Sequence, residues 1–292
     1  WSILLLFLIL QPFCALLASE PAPGALVINE NMTRRGMHAV IEMLEDPDTS
    51  LTIDDVIAPR YSAKFKMASR GPPNLGYSSS VYWVRFSVRN ESADTMLWYL
   101  QLAQSWTRRM DLYIPEGSGF RSLSGGMDIP VHEWPFKYRN IVFPVSQPAG
   151  TVRYHLRIDP GINSLSLLLF AWSPAAFEDF AARELPVHWV FAGLLAAMLV
   201  YSLLLWLSIR DATYLFNAAF VCAIAVYMLD FDGLAVQYLW PGSERWKFIS
   251  LQVLSSVTYL TGILLFRHYL RLRDFLPAVG RVMLVIAGLY VL

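Results

Sequence analysis

The sequence contains few charged residues and only two cysteines. Asp, Glu, Lys and Arg make up 16% of the 292 residues, and 55% of the residues are hydrophobic. A soluble globular domain has about 25% charged residues. Cys14 lies in an apolar run at the start and Cys222 lies in a later one, so residues 20–184 contain no thiol. A disulfide framework and a thiolate metal site are therefore excluded between residues 20 and 184.

The charged residues are distributed unevenly along the chain. Residues 20–184 hold 34 of the 46 charged side chains, 18 acidic and 16 basic, and residues 185–292 hold the other 12. No basic patch is dense enough for nucleic-acid binding, which requires clustered Lys and Arg. This distribution predicts one water-exposed domain followed by one lipid-embedded region, with the lipid bilayer as a partner.

Motifs of catalysis and metal binding are absent from the sequence. There is no HExxH, GxSxG, GxxxxGK[ST] or GxGxxG motif, and the five histidines are not paired at metal-ligand spacing. We therefore expect no catalytic residue, no metal site and no cofactor within these 292 residues.

Long apolar runs characterise the second half of the chain. Runs at 189–207, 212–229 and 248–266 are each long enough, at about 1.5 Å per helical residue, to cross a hydrocarbon layer of about 30 Å. We expect a transmembrane helical region over residues 181–292. Its helices are predicted near 187–209, 212–230 and 248–267, with an incomplete one at 281–292. The natural protein is expected to continue beyond residue 292.

The first 19 residues predict export of the domain that follows. They carry no charge and end near two small residues, Ala18 and Ser19, as a secretory signal peptide does. An uncleaved anchor helix is the alternative. The loops predicted to be inside hold five basic residues, against two in the loop predicted to be outside. This excess agrees with an external N-terminal domain, because basic residues are retained in cytoplasmic loops.

Apolar residues recur with a period of two between residues 79 and 172. The clearest set is Tyr82, Val84, Phe86 and Val88, and Gly- and Pro-rich turns separate the successive runs. Several short strands with such turns predict an all-β sandwich or jelly roll over residues 20–180. One short helical segment is predicted before them, at Met37–Glu45.

Three groups of aromatic and polar residues are candidates for ligand binding. Aromatic rings provide flat apolar contact surfaces, and Arg side chains donate paired hydrogen bonds. The alternative is that the same residues hold the sandwich together. The candidates are Trp83 and Arg85 on one strand, Trp106, Arg108 and Arg109 in one loop, and Trp134, Tyr138, Arg139 and Asn140 in another.

The order of several segments resembles a known bacterial family. These segments are MLEDPDTSLTIDDV (43–56), NLGYSSSVYWVRFSVRN (74–90), WYLQLAQSWTRRMDLYIP (98–115), PFKYRNIVFPV (135–145) and YHLRIDPGINSLSLLLFAWSPAAF (154–177). Together they resemble the seven-transmembrane receptors with diverse intracellular signalling modules, in particular the type-2 extracellular domain and the start of the membrane region. The resemblance implies a jelly-roll sensor similar to carbohydrate-binding modules, seven membrane helices and a cytoplasmic output module.

The resulting hypothesis is a multi-pass receptor of the bacterial inner membrane. Its periplasmic domain would sense a small ligand, with carbohydrate as the candidate class, and signal through the helices to an output module outside this chain. That output region is also where a homodimer would form. In the first alternative, the full-length protein is a signalling enzyme, a diguanylate cyclase or a histidine kinase, with this chain as its non-catalytic sensor. In the second, it is a transporter with an accessory exported domain.

Overall fold

The structure is a computed structural model that describes residues 24–68 and 71–291. The predicted signal peptide at 1–19 lies outside the described residues. The N-terminal domain consists mainly of β-strands that form two main sheets and one small sheet. The strands are β1 Leu26–Ile28, β2 Arg34–Gly36, β3 Glu42–Asp46, β4 Lys66–Met67, β5 Asn74–Tyr77, β6 Val81–Asn90, β7 Met96–Leu102, β8 Arg109–Glu116, β9 Gly119–Gly125, β10 Ile141–Gln147, β11 Gly150–Asp159, β12 Ser164–Ser166 and β13 Leu169–Trp172.

The two main sheets pack face to face as a sandwich. The larger has the order β4-β3-β6-β11-β8-β9, with β1 added in parallel to β6, and the smaller has the order β10-β7-β13-β2. Tyr82, Val84, Phe86 and Val88 are buried in the core between the sheets. Successive strand residues point to opposite faces of a sheet. The apolar residues that recur with a period of two in the sequence are therefore those on the buried face. The predicted all-β sandwich is confirmed.

The outer face of β6 is also covered by the protein. Val81 and Trp83 pack there against Val56 and Phe65. Val56 belongs to the short helix α1 (Ile53–Ile57), and α2 (Pro59–Ser62) follows it directly. Thr52 begins α1 with a capping box, because its side chain accepts a hydrogen bond from the Asp55 amide and Asp55 accepts one from the Thr52 amide.

The helix predicted at Met37–Glu45 is wrong. Residues Glu42–Asp46 form strand β3, which pairs antiparallel with β6 and places Glu42 opposite Arg85. The short segment gains ladder hydrogen bonds along the edge of β6. A helix of nine residues is only marginally stable by itself, so tertiary pairing decides its structure.

The second half of the chain is helical. Its helices are α3 Pro174–Ile209, α4 Ala212–Phe231, α5 Leu234–Tyr238, α6 Glu244–Tyr269, α7 Leu272–Phe275 and α8 Pro277–Val291. Three of them, α3, α4 and most of α6, are long and apolar enough to cross a membrane. Their apolar windows are largely exposed in this chain, as is expected of lipid-facing helices.

Helix α3 is much longer than the span predicted near residues 187–209. Its 36 residues begin at Pro174, where the side chain of Ser173 accepts a hydrogen bond from the amide of Ala176. The first turns contain Glu178, Asp179 and Arg183 and therefore give no hydropathy signal. One helix thus starts against the sandwich and continues through the apolar span.

Candidate functional site at the junction of the sandwich and the helices

Trp83 and Arg85 lie on the outer face of β6 and contact the protein itself. Trp83 is fully buried and stacks on Tyr113, with ring centroids 5.6 Å apart. The Nε of Arg85 donates to Oε2 of Glu42 at 2.6 Å, and its Nη1 donates to the carbonyl oxygen of Ser62 at 2.8 Å. The hydrogen bond from Arg85 also holds the pKa of the Glu42 carboxyl below its usual range. These contacts attach α2 to the main sheet, as in the structural alternative for this pair.

Removal of Arg85 is expected to destabilise the N-terminal domain. Arg85→Ala leaves Glu42 without its partner and Ser62 without a donor, so the free energy of unfolding should fall by about 2–3 kcal/mol. Arg89→Ala, on the same strand, is the control. Arg89 is exposed and lies 3.9 Å from Glu91, and such surface pairs contribute at most about 1 kcal/mol. Equal melting temperatures for the two purified variants would contradict this account.

The group at residues 134–140 faces the helices rather than open solvent. Trp134 is buried, and its indole nitrogen donates to the carbonyl oxygen of Ile129 at 3.2 Å. Asn140 is also buried and accepts a hydrogen bond from the Ser105 hydroxyl at 2.8 Å. These two residues fix the loop that carries Tyr138 and Arg139.

Tyr138 and Arg139 both bind Glu184 of α3. The Tyr138 hydroxyl and the Arg139 guanidinium each donate to the Glu184 carboxylate. Both partners of the ion pair are mostly buried, with side-chain exposures of 13% for Arg139 and 20% for Glu184. Burial and the hydrogen bond to Glu184 raise the pKa of Tyr138 well above its ordinary value, so this hydroxyl remains a donor.

Arg139 also reaches the outer end of α4. Its Nη1 donates to the carbonyl oxygen of Asp232 at 3.2 Å. The carboxylate of Asp232 lies 2.8 Å from Nδ1 of His188 on α3. Arg139 of the sandwich thus contacts both α3 and the end of α4. The contact between His188 and Asp232 joins these two helices to each other next to Arg139.

The group at residues 106–109 also extends to the helices. The Trp106 ring lies against Phe231 of α4, with centroids 4.5 Å apart. Arg108 pairs with Asp128 at 2.7 Å and lies 5.8 Å from the ring centroid of Phe248 on α6. Arg109, in contrast, pairs with Asp111 of the same strand, on the outer face of the larger sheet, at 2.9 Å.

Helix α5 and the first turn of α6 pack against the base of the sandwich. Val236 joins the main hydrophobic core, and Lys247 is fully buried with its Nζ donating to the carbonyl oxygen of Ile129 at 3.2 Å. Gly233 has a φ of +80°, and a Cβ there would lie 2.5 Å from the carbonyl oxygen of Arg139. Only glycine permits this approach of the two backbones.

Four charged or titratable residues of this junction are absent from the sequence-based candidates. They are Glu184 and His188 in the first half of α3, Asp232 directly after α4, and Lys247 in the first turn of α6. Their position next to apolar runs is the feature of the sequence that could have marked them as candidates. Charged residues at such positions either face water or contact another protein surface. Sequence alone does not distinguish these two cases.

A cavity of about 440 Å³ lies between the sandwich and the helices. Trp106, Asn163 and Ser164 line it from the sandwich, and Tyr227, Gln252 and Ser256 line it from α4 and α6. Of the nine candidate ligand-binding residues, Trp106 is the one among the described lining residues. The structure therefore combines an external β-sandwich, a concave site and a direct attachment to membrane-type helices.

These features define a β-sandwich domain joined to helices that are long and apolar enough to cross a membrane, and the comparisons give its family. Residues 38–173 match the family model described as 7TMR-DISM extracellular 2, and residues 184–292 match 7TM diverse intracellular signalling. The chain is a membrane signalling receptor with an extracellular sensor domain. It belongs to the seven-transmembrane receptors with diverse intracellular signalling modules. Sensor-type receptor domains of this kind are not catalytic.

Comparison with individual proteins adds little. No curated protein matches the chain. Among the solved structures that match is CsCBM6-3 from Clostridium stercorarium in complex with cellobiose, at 9% identity and a TM-score of 0.26. That match covers 52% of this chain and 98% of the other. At this score it carries no argument about the ligand.

Proposed function

We propose that this chain is the sensing and transmitting part of a multi-pass receptor of the bacterial inner membrane. The sandwich lies in the periplasm and binds a small ligand, with carbohydrate as the candidate class. The helices pass the signal to a cytoplasmic output module. The family description, which names intracellular signalling, supports that last step.

The continuity of α3 is the observation that carries this proposal. Its first turn packs on the outer face of the smaller sheet through the buried Phe177, and the same helix forms the first apolar span. A displacement of the sandwich would therefore move α3 directly. A ligand can shift a receptor between two conformations only by the difference in its affinity for them. Because α3 is attached directly to the sandwich, two conformations of the sandwich would also differ in the position of α3.

A flexible insertion tests this coupling. Four Gly-Ser residues placed after Phe180 in the full-length receptor should abolish the ligand response, because they interrupt α3 between the sandwich and Glu184. The same insertion after Gly117, in the exposed turn between β8 and β9, is the control and should leave the response intact. An undiminished response in the α3 variant would exclude direct coupling.

A further inference from the structure

We propose that the cavity between the sandwich and the helices is the ligand site, and that its ligand is an uncharged saccharide. This inference rests on the proposed sensing function and names its site. The cavity lies where the 160–166 segment and Trp106 of the sandwich meet the outer parts of α4 and α6. Its volume of about 440 Å³ is within the range of small-molecule sites.

The lining of the cavity contains aromatic rings and neutral polar groups. Five of its residues are aromatic, five others carry an amide or a hydroxyl, and none of the described lining residues is charged. An anionic or cationic ligand would lose its hydration there without gaining an opposite charge. A neutral molecule with an apolar face and hydroxyl groups around its edge fits both kinds of lining group. A sugar ring has this character.

One acceptor in the cavity lacks a partner. The Oε1 of Gln252 is buried and has no hydrogen-bond partner within the described ranges, while its Nε2 donates to Oδ1 of Asn163. The hydroxyls of Ser255 and Ser256 donate to the carbonyl oxygen of Gln252, so their own oxygens can still accept. A ligand hydroxyl can therefore donate a hydrogen bond to the Oε1 of Gln252 or to either serine oxygen. Buried polar atoms in proteins are normally satisfied, and a donor group on the ligand, such as a hydroxyl, would satisfy this one.

A ligand at this position would touch both halves of the receptor. Trp106 is held by a hydrogen bond from its indole nitrogen to the carbonyl oxygen of Ser164, at 3.1 Å, while its ring contacts Phe231. Gln252 of α6 bonds directly to Asn163 of the sandwich. A ligand that contacts both the sandwich and the helices binds more tightly to one relative position of the two than to another. Binding would therefore favour that position of the helices.

Protection of an engineered thiol from labelling tests the site. Ser256→Cys and Ser164→Cys, one on each side of the cavity, are made in the full chain with Cys14→Ala and Cys222→Ala. The receptor is reconstituted in nanodiscs and labelled with a water-soluble maleimide. Ser243→Cys, in the exposed turn before α6, is the control. The probes are glucose, galactose, N-acetylglucosamine and maltose, together with dodecyl maltoside as a membrane-bound glycoside and glucuronate as a charged analogue.

We expect at least one neutral sugar to slow the labelling of both cavity positions about fivefold at a concentration of about four times its Kd. The control position should be unaffected, and glucuronate should protect neither. Protection by dodecyl maltoside but not by maltose would identify a glycolipid headgroup as the source. The proposal is overturned if no neutral probe protects, if glucuronate protects equally, or if neither cavity thiol reacts with the maleimide. Labelling needs no signalling output, so its failure would leave the insertion test of α3 unaffected.

Discussion

Replacing Phe177 with alanine is expected to destabilise the external domain by about 3–5 kcal/mol, the usual cost of removing a fully buried aromatic side chain. Phe177 is 1% exposed, and four aromatic rings surround it with centroid distances of 5.0–5.7 Å. These rings belong to Tyr99, Phe136, Tyr138 and Trp172. The cluster lies on the outer face of the smaller sheet, away from the core between the sheets.

The Phe177→Ala variant should also lose the ligand response, because the first turn of α3 is no longer held to the sandwich. Thermal melting of the purified receptor measures the first effect, and a shift of roughly 10 °C corresponds to that loss. Asp179→Ala is the control on the same helix, since Asp179 is exposed and its ion pair is with the exposed Arg183. Equal melting temperatures of the Phe177→Ala and Asp179→Ala variants would contradict the account.

Loss of Arg139 is expected to have the second large effect. Arg139→Ala leaves the mostly buried Glu184 carboxylate without its ion-pair partner and leaves the carbonyl oxygen of Asp232 without this donor. Breaking a buried pair by removing one partner costs about 3–5 kcal/mol. Glu184 retains 20% exposure and the Tyr138 hydroxyl, so a value of about 3 kcal/mol is expected here.

A double-mutant cycle separates the pair from the rest of the junction. Arg139→Ala combined with Glu184→Ala should cost less than the sum of the single changes, because the second substitution removes the unpaired charge. Arg183→Ala, next to Glu184 but 79% exposed in its side chain, should change stability by less than about 0.5 kcal/mol. If the two single effects add without any coupling, the Arg139–Glu184 pair does not hold the junction.

The strand pattern was predictable from sequence because alternation reports burial on one face. Tyr82, Val84, Phe86 and Val88 lie in the core as expected. The second burial, of Trp83 under α1 and α2, was not predictable, since the covering segment is distant in sequence. The helix prediction at Met37–Glu45 is wrong for the same reason. Strand β3 forms there by pairing with β6, which lies about 40 residues away in the sequence.

The candidate site was predictable only in part. The aromatic and arginine-rich loops were identified, and Trp106, Tyr138 and Arg139 do lie at the junction. Tyr138 and Arg139 bind Glu184, which in the sequence is an ordinary charge before an apolar run. Trp106 contacts Phe231 at the end of another run. Hydropathy locates apolar spans but not the polar first turns of α3, and it says nothing about the close approach at Gly233.

Cross-linking between the sandwich and α6 tests the central claim most directly. Asn163→Cys and Gln252→Cys, combined with Cys14→Ala and Cys222→Ala, replace two side chains that are hydrogen-bonded to each other across the junction. In native membranes, a short bismaleimide should join the two thiols within one chain and should fix the signalling output at a constant level. Free reactivity of both thiols without any cross-link would show that the external domain does not rest on the helices, and the account of transmission would fail.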